Sequence, residues 1–490
     1  MTSTQPTILN NVISKGLLNV FNILIPFLIM PYVYRKLGPE NMGSIEYGAT
    51  IFQYFGLLGL LGIYNYGLRE ISAHRNNKKK VAEIYKNLFT IGIISNLIFL
   101  LIYLGVAYNY IADENLKLIL YVYAGSFIAQ IFYVEWINEA YEKFRFITIK
   151  TIAVRTLSVI AIFLLIKNPS DYLFYVWVFV AALLLNNIIS FFYAHRHVSG
   201  NKSIFAGLKI RTYMLPLLFI LVLNNTNILY TVADRIMLGA YTAHENVAFY
   251  GLGQKIVEML KALLLSIVFV TLPRLSLYLN ENKQLYENSV KKLMRLVLML
   301  VLPCGVGMLM LSEQIVLIFA GDQYAPAIPA LRVFAVRIVL MAIESILYNQ
   351  IIFLHRKEKI LVALNFICGG FNVALNFILL HHLTPFVAIA TTFAIEIIFE
   401  ILCLLYIKKK LHIATGLFEK GNIKYVLLSL LFIPVIWGLK SVVVSQYLFV
   451  ALSLLSCSVL YVSGLIVTRD VVFMEIKDRI IKRESKYGKS

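Results

Sequence analysis

The chain has 490 residues, of which 60% are hydrophobic and only 14% charged, with a mean hydropathy of +0.78. An ordinary soluble domain carries about 25% charged residues, so composition excludes a soluble globule and points to a chain that crosses a bilayer many times. The net charge of +19 lies mostly in short connecting segments, where it reads as membrane topology and not as a nucleic-acid partner.

The first apolar run, GLLNVFNILIPFLIMPYVY (16–34), is too long for the core of a cleavable signal and has no small-residue cleavage site behind it, so it is expected as the first span. A spanning helix needs about 20 mostly apolar residues. Fourteen such runs can be placed: 13–34, 45–68, 88–108, 116–138, 147–166, 172–194, 213–233, 247–272, 296–319, 331–354, 360–380, 386–407, 425–443 and 447–467. The expected fold class is therefore all-α, a polytopic membrane protein of about 14 transmembrane helices. With the N-terminus in the cytoplasm, 34 of the 45 Lys and Arg residues fall on cytoplasmic segments and 6 on the opposite side. The other five, Arg155, Lys255, Lys261, Arg332 and Arg337, fall inside spans. This asymmetry predicts both termini in the cytoplasm.

LGPENMGSIEYG (37–48) is echoed by LGAYTAHENVAFYG (238–251): each holds Leu-Gly, then Glu-Asn, then an aromatic-Gly pair. Asn19 and Asn22 precede the first Glu-Asn pair as Asn224 and Asn227 precede the second. Six spans return a chain to the same side, so the echo predicts a parallel repeat about an axis along the membrane normal. Two six-helix lobes are expected, 1–200 and 201–415, hinged at HRHVSGNKSIFAGLKIRT (195–212). Two additional helices occupy 416–468 and a basic cytoplasmic tail 469–490. In that tail Val472, Phe473, Ile476 and Ile480 share one helical face, which suits a helix lying on anionic membrane lipids.

Enzyme and metal motifs are missing: no G-x-x-x-x-G-K-[ST], no third ligand near His195 and His197 or His381 and His382, and four cysteines scattered singly. No catalytic residue, metal or cofactor is expected. The informative residues are charges within spans. A Lys or Arg at mid-span costs about 2.5–3.5 kcal/mol, so Arg155, Lys255, Lys261 and Arg337 together would cost about 10 kcal/mol against lipid. They are expected either in buried salt bridges or in a water-filled cavity between the lobes. Lys255, Glu258 and Lys261 share a helix flank, Arg337 and Glu344 stand two turns apart, and Glu396 and Glu400 are a like-charged i,i+4 pair. Asn19, Asn22, Asn224 and Asn227 form polar stripes that either bond neighbouring helices or line the cavity.

The segment PYVYRKLGPENMGSIEYG, the exit YNYGLREI (64–71), the segment TLPRLS (271–276) and the paired lobes resemble the Wzx-type polysaccharide repeat-unit flippases of the multidrug/oligosaccharidyl-lipid/polysaccharide exporter superfamily. The resemblance implies a bacterial plasma-membrane protein that carries an undecaprenyl-diphosphate-linked glycan from the inner to the outer leaflet by alternating access. O-antigen or capsule polymerisation follows, with a polymerase and chain-length machinery as further partners. On that reading Lys255 and Lys261 contact diphosphate, Arg337 and Arg155 extend the field, and the Asn stripes touch sugar. Asp234, Glu258, Glu344 and Glu396 are candidates for coupling to H+ or Na+. A cation-coupled multidrug antiporter of the same superfamily and a membrane glycosyltransferase or polymerase are the alternatives. The positive surplus disfavours the first, and the absence of a large external loop disfavours the second.

Overall fold

The computed structural model describes residues 8–198, 208–225 and 232–478, and all regular structure among them is helical. The chain is a polytopic all-α membrane protein, as the hydropathy pattern predicts. Ten helices among the described residues are long and apolar enough to cross a bilayer, or eleven when the bent pair Glu245–Leu264 and Val268–Glu281 counts as one span. Fourteen were expected. The first two expected spans lie on one hydrogen-bonded run, Ile8–Leu60, interrupted only at Gly38. The seventh is described only as the short helix Ile210–Asn225, and the tenth, Ile328–Ser345, carries Arg332, Arg337 and Glu344.

The interruption at Gly38 has a local cause. Its φ of 76° lies in the left-handed region that only glycine adopts freely, and Pro39 then restarts the helix with its fixed φ and no N–H to satisfy.

Contacts divide the chain into two compact units, 1–248 and 249–490. In the first, the two echoed segments meet. A Cβ on Gly43 would stand 1.9 Å from the His244 carbonyl oxygen, so a bare α-carbon rests on the opposing peptide group. Ser44 Oγ lies 3.1 Å from His244 Nδ1, and the Tyr47 ring occupies the space that a side chain at Gly239 would need. Elsewhere the helix Lys78–Tyr110 bonds its neighbour through polar groups, with Ser95 Oγ donating to the Gly59 carbonyl at 2.5 Å and Asn96 donating to the same oxygen at 3.2 Å. The Trp136 ring fills the gap left by Gly67.

In the second unit the helices Lys283–Met310 and Ile328–Ser345 approach closely at Gly305, where a Cβ would meet the Ala335 carbonyl at 2.9 Å. Small residues at such crossings let backbones pack without a hydrophobic driving force. A π-helical stretch, Ile346–Phe353, places Gln350 so that it donates to the Val268 carbonyl at 2.7 Å while Tyr286 donates to the Gln350 carbonyl at 2.7 Å. Tyr461 ties the last spanning helix, Gln446–Val467, to the Met299 carbonyl at 2.8 Å.

The start of the tail packs onto this unit. Asp470 is 2% exposed, caps the helix over 471–478 by accepting from the Phe473 N–H at 2.9 Å, accepts from the Tyr425 hydroxyl at 2.8 Å, and pairs with Lys424. Val472 is buried, so the apolar face expected on the lipid surface is partly spent on the protein itself; Ile480 lies outside the described residues. Burial works against the charge on Asp470, but Lys424, the Phe473 N–H and the Tyr425 hydroxyl outweigh it and hold the carboxyl below the ordinary carboxylate range.

Two outcomes follow. Gly43→Val forces two backbones apart and should cost about 1–3 kcal/mol, read as a lower midpoint of thermal unfolding in detergent. Asp470→Asn should destabilise by a constant amount while pH stays above the unfolded carboxyl value of about 3.9. The difference from the natural protein should vanish as pH falls through the lowered folded value, because protonation then removes from the natural protein the charge that the variant already lacks.

Candidate functional site

The helix Ile328–Ser345 carries Arg337 at its midpoint, and the helix Pro385–Tyr406 carries Glu396 and Glu400 one turn apart. Arg337 is 5% exposed and Glu396 6%. Arg337 Nε donates to Glu396 Oε2 at 2.7 Å and Nη2 donates to Oε1 at 2.5 Å. This is the fork-to-fork geometry that makes arginine the favoured cation for a buried carboxylate. Glu400 is buried on the same helix, and its Oε1 has no hydrogen-bond partner among the described residues. Glu344, half-buried two turns along from Arg337, lies within electrostatic range of Glu396, Lys261 and Arg337. The cluster thus gathers three carboxylates and two cations from three helices. It is mixed in sign, where the sequence reading expected a positive surplus.

The two lysines of the helix Glu245–Glu281 differ. Lys255 is half-buried and has a partner within the protein. Lys261 is half-buried and has no carboxylate within ion-pair distance among the described residues. Glu258 is exposed and accepts from Gln254 at 2.8 Å.

In the first unit Arg155 sits at the middle of the helix Phe144–Leu165, partly exposed, again with no carboxylate partner among the described residues. Asp234 is fully buried at the start of the helix Ala233–Tyr241. Asn22 is half-buried, and its Oδ1 has no hydrogen-bond partner among the described residues. Asn19 and Asn224 belong to described helices, but their side chains lie outside the described residues, as does Asn227 altogether.

Sequence reasoning missed a second buried ion pair. Lys150 stands at the start of the fifth expected span but is not among the charges singled out inside spans; it lies within the helix Phe144–Leu165, 5% exposed. Its ammonium donates to both oxygens of Glu135 at 3.0 and 2.9 Å and to Ser190 Oγ at 2.5 Å, while Ser190 donates to Glu135. Glu139, one turn beyond Glu135, accepts from the Tyr64 hydroxyl at 2.9 Å. The available signal was the acidic i,i+4 pair Glu135 and Glu139 beside Trp136, placed within reach of a lysine at a helix start. Sequence reasoning also missed a polar seam in the second unit. There Asn372 donates to Thr392 at 3.0 Å and Thr391 to Asn376 at 2.6 Å, all four residues buried.

Such an arrangement can bind and exchange charge: unpartnered cations can receive an anion, and a carboxylate surplus can take up a small cation. No group of three or more His, Cys, Asp or Glu residues among the described ones is arranged to hold a metal ion.

Among solved structures the chain is similar to the lipid II flippase MurJ in its inward closed conformation, with a TM-score of 0.74 at 15% identity over 94% of this chain and 99% of that one. It is also similar to an inward-facing multidrug resistance MATE family transporter of the MOP superfamily, with a TM-score of 0.54 at 15% identity over 80% of this chain and 94% of that one. Both likenesses speak to the fold. In sequence it is 22% identical over 409 residues to an Escherichia coli (strain K12) protein named "Putative O-antigen transporter", covering 83% of this chain and 98% of that protein. The model of a family described as "Polysaccharide biosynthesis protein" matches residues 8–279. That match takes in more than half of the sequence, and the chain belongs to this polysaccharide biosynthesis family.

Proposed function

We propose that the protein is a flippase that moves an undecaprenyl-diphosphate-linked oligosaccharide from the inner to the outer leaflet of the bacterial plasma membrane, with both termini in the cytoplasm. It is a transporter and not an enzyme. The observation that carries the reading is a pair of cations near the middle of spanning helices, Lys261 and Arg155, neither in an ion pair with a carboxylate among the described residues. A charge held in a membrane helix without a direct ion pair is costly unless water or an anionic ligand meets it. A diphosphate supplies that anion, and the curated relative named for O-antigen transport supplies the class of cargo.

In this mechanism Lys261 receives the diphosphate and Lys255 adds to the field, while Arg155 is a further cation available to the anion during its passage. Arg337 reaches a ligand only when its bridge to Glu396 opens, so the bridge is the natural two-state element of the second unit. Alternating access then proceeds as cargo charge competes with Glu396 for Arg337. Entry of H+ or Na+ at Glu344 or Glu396 neutralises the carboxylate excess and resets the pair; Asp234 and Glu258 are the other coupling candidates. Asn22 offers an unsatisfied carbonyl to sugar hydroxyls, with Asn19, Asn224 and Asn227 as further contacts. A polymerase and chain-length machinery would take the delivered unit.

A second reading has its own observation. Glu344, Glu396 and Glu400 outnumber the cations near them, and an acidic pocket is what a cation-exporting multidrug antiporter needs. The two readings separate in liposomes: a flippase exchanges a lipid-linked sugar between leaflets, and an antiporter expels an organic cation against a proton or sodium gradient.

Lys261→Glu should lower leaflet exchange of the lipid-linked sugar by about tenfold or more while leaving the protein in the membrane, since an attractive contact becomes repulsive. Lys255→Ala should be milder. Unchanged exchange in Lys261→Glu sinks the assigned role. Glu396→Gln strands Arg337 and should cost about 3–5 kcal/mol in unfolding. The double variant Arg337→Met with Glu396→Leu should regain most of that stability but not transport, separating the pair's structural role from its functional one.

A further inference from the structure

The hairpin formed by the end of the helix Glu245–Glu281 and the start of Lys283–Met310 makes a pocket of about 490 Å³ with the beginning of the helix over 471–478. Its walls are mainly apolar, among them Leu275, Leu285, Leu293 and Val472. That volume falls within the range of about 300–1,000 Å³ typical of small-molecule sites. Arg274 and Lys292 stand in its lining.

The cations of this hairpin are not equivalent. Lys292 pairs with Glu475, Arg295 with Glu419 at 2.6 Å, Lys291 with Glu419 at 4.0 Å, and Lys283 with Glu287 at 3.8 Å. Arg274 has no carboxylate partner among the described residues. Its guanidinium lies over the Tyr278 ring, 5.2 Å from the centroid, and Nε donates to the Tyr278 hydroxyl at 2.5 Å. Stacking and one hydrogen bond fix the plane of the group and leave its outer N–H donors for another acceptor, and such a fork fits phosphate. Next to it on the same helix, Phe269, Val270 and Leu277 are exposed apolar side chains, as on a surface facing hydrocarbon.

We propose that this pocket is a binding site for an acidic phospholipid, with one acyl chain against the apolar wall and the phosphate on Arg274. A protein partner would have to reach this wall past a lipid-facing helix, whereas a bilayer lipid is already there. The sequence led to anionic lipid contact along the tail face; the geometry moves it to TLPRLS and the hairpin, with the tail helix contributing one wall. The proposal rests on the multi-pass membrane character of the chain and is independent of the transport reading.

The test is native mass spectrometry of the full-length protein in mild detergent, titrated separately with phosphatidylglycerol, phosphatidylethanolamine and inorganic phosphate, alongside thermal midpoints. The natural protein should hold one phosphatidylglycerol about tenfold more tightly than phosphatidylethanolamine: both offer a phosphate to Arg274, but only phosphatidylethanolamine brings an ammonium that the guanidinium repels. Arg274→Gln should abolish that preference and Arg274→Lys should restore part of it. Leu293→Trp, which fills the pocket, should weaken both lipids alike. If that variant does not fold, Leu285→Trp at the partly exposed wall serves instead. Equal retention of the two lipids by the natural protein overturns the proposal, as does an Arg274→Gln variant with unchanged preference. Stabilisation by inorganic phosphate equal to that by phosphatidylglycerol also overturns it, in favour of a free-anion site. Because no readout involves transport, a lost lipid preference and a lost flippase activity remain separate results.

Discussion

Hydrocarbon does not solvate an ion, and each unit contains a place where that constraint is met by a fork of hydrogen bonds. In the second unit Arg337 grips both oxygens of Glu396; in the first, Lys150 is held by both oxygens of Glu135 with Ser190 closing the triangle. Pairs of this kind contribute little net stability over an apolar substitute, because desolvation offsets most of the attraction. Breaking one is a different matter, since the survivor is left charged and dry. The helices that present these residues are therefore tied together by the penalty for separation more than by a gain on meeting. An element of that character suits a protein that must hold one arrangement firmly and abandon it only when another charge takes the partner's place.

Much of the fold could be read from the sequence, because bilayer thickness and the avoidance of charge write themselves into run length and loop composition. The kinked first pair of spans shows where that reading thins. Gly38 leaves helical geometry and Pro39 restarts the helix at once, so the first two expected spans follow each other across a kink with no loop between them. Ile328–Ser345 diverges for the opposite reason: it is helical throughout, but Arg332, Arg337 and Glu344 make it too polar to pass as a span by composition.

The site was less legible. Arg337 and Glu396 could each be singled out as a charge in an apolar run, yet 59 positions separate them and no local spacing rule joins them. Lys150 escaped because it stands near a basic connection, where the positive-inside pattern explains any lysine and removes the reason to look further. The net sign of the cluster is hard to read for a related cause: sequence shows the cations helix by helix, whereas the carboxylates that balance them arrive from a neighbouring helix in space. In sequence Arg274 is one more basic residue of TLPRLS, and its lack of a carboxylate becomes visible once every other cation of the hairpin is matched to one.

The join between Gly43 and the His244 peptide has a practical corollary. Turns between spanning helices are where an experimenter would insert an epitope or a reporter enzyme to map sidedness, and residues 38–44 and 242–245 look like two such turns. With the Gly43 α-carbon seated on the His244 carbonyl, that position has no room for an added methyl group, so a tag that disturbs this join would record damage in place of orientation. The connection after Tyr110, whose ring is exposed at the end of its helix, is the better address for such a label.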